Sequence, residues 1–85
     1  MDIQIGKVTH YYDKIQVAIV EILAQPLKVG DVVKISGHDK EFTQKISSLQ
    51  IEHTQVVEAS PGETVGLQVD QSVKSGDILY LAATH

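Results

Sequence analysis

Apolar and polar residues alternate with a period of two along most of this chain, and glycine followed by an acid punctuates the alternation. Ile3 to Tyr11 and Ile15 to Leu23 are β-branched, apolar-rich runs separated by Tyr12-Asp13-Lys14, the spacing of two strands in a hairpin. Gln25-Pro26 ends the second run, because proline has no ladder donor and pushes its predecessor out of helical geometry. Lys28-Val29-Gly30-Asp31 then turns into a strand at Val32 to Ser36, with Val33 and Ile35 inward and Lys34 outward, and Gly37-His38-Asp39-Lys40 forms the next corner. Between Glu41 and Glu52 the parity changes: Phe42, Gln44 and Ile46 share a face, then Leu49 and Ile51 take over, which predicts a bulge near Ser47-Ser48. Gln55 to Glu58 reads as a short extended piece and Ala59 to Gly62 as a turn. Val65, Leu67 and Val69 form one face of a strand, with Gly66 and Gln68 on the other. Val73 to Gly76 turns into a last strand, Asp77 to Ala82, and residues 83–85 read as a frayed tail. One short helical turn fits only at Val56 to Ser60.

Gly30-Asp31, Gly62-Glu63 and Gly76-Asp77 each end a loop just before an apolar run, the grammar of tight connections feeding strands. Six or seven short strands with turn signals at roughly ten-residue spacing predict an all-β fold, a small closed or nearly closed antiparallel barrel occupying residues 1–82 as one domain. Closure also removes exposed strand edges, the main hazard for a chain rich in valine and isoleucine.

Composition narrows the function classes. A chain of 85 residues holds one modest core. The apolar run Ile15 to Ala24 is interrupted by Gln16 and Glu21, which speaks against a membrane span, and the start lacks a basic and apolar leader. With no cysteine, disulfides and thiolate metal sites are excluded, and a cytoplasmic location is expected. Seven lysines, no arginine and eleven acids leave a net charge of −4. DNA binding across the surface is therefore not expected, and any RNA contact has to be local and aided by stacking.

The order of the corners carries a resemblance. Gly6-Lys7-Val8, Leu27 to Asp31 with Val33 and Ile35, Ile46 to Ile51, Pro61-Gly62-Glu63-Thr64-Val65-Gly66 and Ser75 to Leu79 together resemble domain 2 of the translation GTPases, of which elongation factor Tu is the best-known member. Stand-alone elongation factor-like proteins, and a domain that follows the catalytic part of some collagenase-like peptidases, look similar; the chain most resembles the stand-alone group. The resemblance implies a six- or seven-stranded Greek-key barrel and a binding module working on tRNA, rRNA or a ribosome-associated protein. It implies no GTPase activity, since no phosphate-cradling Gly-x-x-x-x-Gly-Lys-Ser/Thr stretch is present. It also places Gln50 and His53 at a family pocket, where a neutral amide and an imidazole replace charged groups.

The candidate binding residues are accordingly Gln50 and His53, the Tyr11-Tyr12 hairpin tip with Lys7, and Lys40 and Lys45 near Phe42 and His38. Aromatic and basic groups at one place suit base stacking or the clamping of a partner loop. The alternative is an adaptor that docks on an RNA-modifying or peptidase-like enzyme, or a self-associating barrel. No catalytic residue, metal or cofactor is expected: the histidines His10, His38, His53 and His85 form no ligand-spaced pair, and Ser47, Ser48, Glu52 and His53 crowd one strand without an oxyanion donor.

Overall fold

The three glycine and acid pairs close the same turn three times. In a computed structural model, which describes residues 3–37, 40–52 and 54–82, Gly30, Gly62 and Gly76 adopt φ of 100°, 91° and 100°. The residue after each glycine donates its N–H to the carbonyl three residues back: Asp31 to Lys28 at 3.1 Å, Glu63 to Ser60 at 3.1 Å and Asp77 to Lys74 at 3.0 Å. That bond with a positive φ at the third position defines a type II turn. The same acid then accepts the N–H of the first turn residue on its carboxylate: Lys28 to Asp31 Oδ2 at 3.0 Å, Ser60 to Glu63 Oε1 at 2.7 Å and Lys74 to Asp77 Oδ2 at 2.9 Å. All three acids thus hold the corners by charge-assisted bonds.

Between the corners the described residues form ten strands: β1 (Ile3–Tyr12), β2 (Val17–Ile22), β3 (Leu27–Lys28), β4 (Val32–Ser36), β5 (Glu41–Lys45), β6 (Leu49–Ile51), β7 (Thr54–Val56), β8 (Glu58–Ala59), β9 (Thr64–Gln68) and β10 (Ile78–Leu81). Eight form one antiparallel sheet in the order β5-β4-β10-β1-β2-β9-β6-β7, and β3 pairs with β8 apart from it. The all-β expectation holds, but the closed barrel of six or seven strands gives way to a half-barrel whose ladder ends on β5 and β7. The curl follows from the chain itself. A flat sheet would separate β5 from β6 by about 29 Å, yet the four steps from Lys45 to Leu49 span at most about 14 Å. The seam is bridged by the buried Gln44 of β5, which donates Nε2–H to Gln68 O at 2.9 Å and accepts the Asp70 N–H on Oε1 at 2.8 Å. A side-chain amide stands where a closed barrel would have a backbone ladder.

The strand count rises because two predicted runs break and Leu27–Lys28, just before the Gly30 corner, adds β3. Residues 46–48 leave the strand instead of bulging, Ile46 staying bonded to Gly30 and Asp31 while the chain crosses the seam. Glu58 and Ala59 pair with Lys28 and Leu27, so Val56 to Ser60 holds strand and not a helical turn. Ile15, predicted to begin a strand, lies in the turn before β2 with 63% of its surface exposed, because Gln16 takes the left-handed φ of 56° that ends the turn. β1 shifts register twice, between Gln4 and Gly6 and again between Val8 and His10. Each shift flips the parity, so Ile5, Val8 and Tyr11 all face the interior. There they meet Val20, Ile22, Ile35, Leu67 and Leu79 in one aliphatic core. Leu27 and Ala59, buried on the small sheet, join the same core. The frayed tail expected at 83–85 lies outside the described residues.

Candidate functional site

β2 carries apolar residues on both faces, and its outer face borders a cleft. Ala18, Val20 and Ile22 fill the core, which leaves Val17 and Ile19 half-buried on the outside. Their neighbour is β9, where Val65 and Leu67 point inward and Gly66 outward. Gly66 lies in register between Ile19 on one side and Gln50 of β6 on the other. A Cβ at this position would stand 3.4 Å from Val17 Cγ1 and 3.8 Å from Ile19 Cδ1 and the Gln50 carbonyl. The missing side chain therefore opens the floor of a groove of about 570 Å³.

Its walls come from three corners. The β1–β2 turn contributes Tyr12 and Ile15, the β6–β7 turn contributes Ile51 and Glu52, and the Gly62 corner contributes Glu63 and Thr64. Tyr12 is steadied by the edge of His10, whose ring centroid is 5.9 Å away at 60°, while His10 Nδ1 lies 2.8 Å from the Thr9 carbonyl. Glu52 holds a left-handed φ of 51° in the β6–β7 turn, a conformation that non-glycine residues adopt at a cost and that recurs beside binding sites.

The candidate residues divide between this groove and a second cleft. Tyr12 and Gln50 share the groove. Tyr11, one residue earlier and so on the opposite face of β1, packs against the core and lines a cleft of about 420 Å³ with Lys40, Lys74 and Asp77. Lys40 is tied there by Nζ–H donation to the Ser72 carbonyl at 3.1 Å. Lys45 lies at the other end of β5, about 16 Å along the strand, opposite Val32. Lys7 stands across from Glu21 on the outer surface of the β1–β2 ladder and lines neither cleft. His53, like His38 and His85, lies outside the described residues. Ser47 and Ser48 border a third, shallow cleft with Val29 and Val57, apart from Glu52. Among the described residues no three His, Asp or Glu side chains come together as metal ligands.

Sequence reasoning missed most of the groove: Ile15, Val17, Ile19, Gly66, Glu52 and Glu63. Two signals pointed to it. A strand apolar on both faces needs a cover on its outer side, and a glycine in the middle of a regular strand marks close approach by another group.

No family model matches the sequence. Over 80 residues, 93% of this chain, it is 39% identical to an uncharacterised protease of Methanocaldococcus jannaschii. Over 79 residues it is 30% identical to a collagenase of Porphyromonas gingivalis. In both cases the chain spans only 19% of the relative's length. The fold matches two crystal structures of the C-terminal domain of a Geobacillus thermoleovorans protein assigned to the U32 peptidases. One has a TM-score of 0.88 at 22% identity, covering 94% of this chain and 92% of that domain. The selenomethionine form has a TM-score of 0.84 at 23% identity, covering 89% and 95%. These relatives overturn the expected place among elongation factor-like proteins, and with it the translation role. Glycine and acid corners spaced by alternating strands describe how such a half-barrel turns, and they carry the fold without the task. The chain is similar to the C-terminal domain of U32-type peptidases and to a matching fifth of collagenase and protease relatives.

Proposed function

We propose that this chain is a non-catalytic docking module that holds a peptidase-like catalytic domain through the groove over Gly66. The observation carrying this reading is an outer sheet face on which Val17, Ile19 and Ile51 surround a glycine floor, with Tyr12 and Ile15 exposed at the rim. A concave site lined mostly by apolar side chains with a few polar groups at its rim is the default place for binding, and tyrosine is among the residues enriched at interfaces. The relatives support the choice of partner, because what they share with this chain is a fraction of proteins named as proteases and collagenases. The test is size-exclusion chromatography with light scattering on this chain mixed with a separately expressed catalytic domain of a collagenase-like peptidase from the same organism. We expect a one-to-one complex at micromolar concentration, lost on Gly66→Leu, which fills the groove. Separate elution of the unaltered proteins would refute the reading.

A further inference from the structure

The groove has a sign as well as a shape. Among the described residues lining it, the charged groups are Glu52 and Glu63, and there is no lysine. Glu63 Oε1 accepts the Ser60 N–H, which fixes the carboxylate at the rim without cancelling its charge. Glu52 is exposed on the β6–β7 turn, which the register of β6 with β9 brings to the same end of the groove. Tyr12 stands at the far end of the groove, in register with Val17, 49% exposed and held at one edge by His10. An exposed aromatic face attracts cations, and carboxylates on a partly apolar surface favour lysine or arginine over an acid.

Resting on the docking reading above, we infer that the segment this groove receives is both apolar and cationic: a bulky aliphatic or aromatic side chain over Gly66, flanked by Lys or Arg reaching Glu52, Glu63 and the Tyr12 ring. Charge complementarity selects this occupant over a second copy of the chain, whose own net charge is −4 and whose groove rim would meet like charge.

The test uses fluorescence anisotropy with three labelled peptides that share one leucine or phenylalanine anchor and carry arginine, glutamine or glutamate flanks. The catalytic domain is assayed beside them. Affinity is expected to fall in that order, and the spread is expected to shrink between about 0.05 M and 0.5 M salt as screening grows. Glu52→Gln reduces the advantage of the arginine peptide by up to about fivefold, the range of one exposed ion pair, and Glu52→Lys reduces it further. Tyr12→Leu, which keeps the apolar wall, weakens the arginine peptide selectively. If short peptides bind too weakly to measure, Glu52→Lys is read on the catalytic domain, where a loss of affinity that salt abolishes supports the inference. Equal binding of the three peptides, preference for glutamate flanks, or indifference of the catalytic domain to Glu52→Lys overturns it. When that happens while Gly66→Leu still abolishes the complex, docking stands and the charge assignment falls; absence of any complex removes the docking reading itself.

Discussion

Three glycines in strands or beside them face different surroundings, and a single methyl group tells them apart. At Gly6 a Cβ would stand 2.8 Å from Val20 Cγ1 and 2.9 Å from the Glu21 carbonyl oxygen, and backbone does not move aside. At Gly37 it would meet the Asp77 carboxylate at 2.6 Å. Gly66 has room, and its φ lies outside the left-handed region. Gly6→Ala should therefore cost about 1–3 kcal/mol in urea unfolding. Gly66→Ala should hold or gain up to about 1 kcal/mol, since alanine lowers the entropy of the unfolded chain. A second residue-scale prediction concerns the corner acids. Asp77 is only 6% exposed whereas Asp31 and Glu63 are half-buried, so Asp77→Ala should be the most damaging of the three alanine variants. Its loss should approach about 1.5–3 kcal/mol, the range for a hydrogen bond to a charged group. Equal losses at all three positions would show that burial does not set the strength of these corners.

At the scale of elements, the strands written in strict alternation were legible in advance. Val32 to Ser36 forms β4 as read, with Val33 and Ile35 inward, and Val65, Leu67 and Val69 are buried together. What alternation hides is where parity is broken by geometry instead of by residue type. The register shift of β1 at Thr9 has no glycine or proline signature, and it decides which of Tyr11 and Tyr12 faces the core. Gln44 was legible as an inward polar residue but its purpose was not, because its partners, Gln68 and Asp70, are 24 and 26 residues away. The seam predicts a clear outcome. Gln44→Leu keeps the volume yet strands the part-buried Gln68 carbonyl and Asp70 N–H, which should cost about 1–3 kcal/mol. Faster hydrogen exchange of the Asp70 amide in that variant would place the damage at the seam, and unchanged exchange there would mean that the curl is held by the core alone.

At the scale of the molecule, the core and the groove are the two faces of the same sheet. Leu67 is buried beneath, against Ala18 and Leu49, while Gly66 beside it forms the floor above. The interior is filled by this chain's own side chains, from Ile5 and Val8 through Leu67 to Leu79, so folding does not draw on a partner. Docking should then act as ordinary ligand linkage: a partner that binds only the folded form adds about 2.7 kcal/mol at a free concentration of 100 Kd. In a domain of this size each kcal/mol moves Tm by about 4–8 °C, so saturating catalytic domain should raise the melting temperature of this chain by roughly 10–20 °C. Differential scanning calorimetry of the mixture reads this directly, provided the two proteins melt apart. Gly66→Leu should melt as a single transition without responding to the partner, which separates loss of binding from loss of fold. If the unaltered chain also fails to respond, the outer face of β2, β9 and β6 is not a docking surface for such an enzyme, whatever its shape.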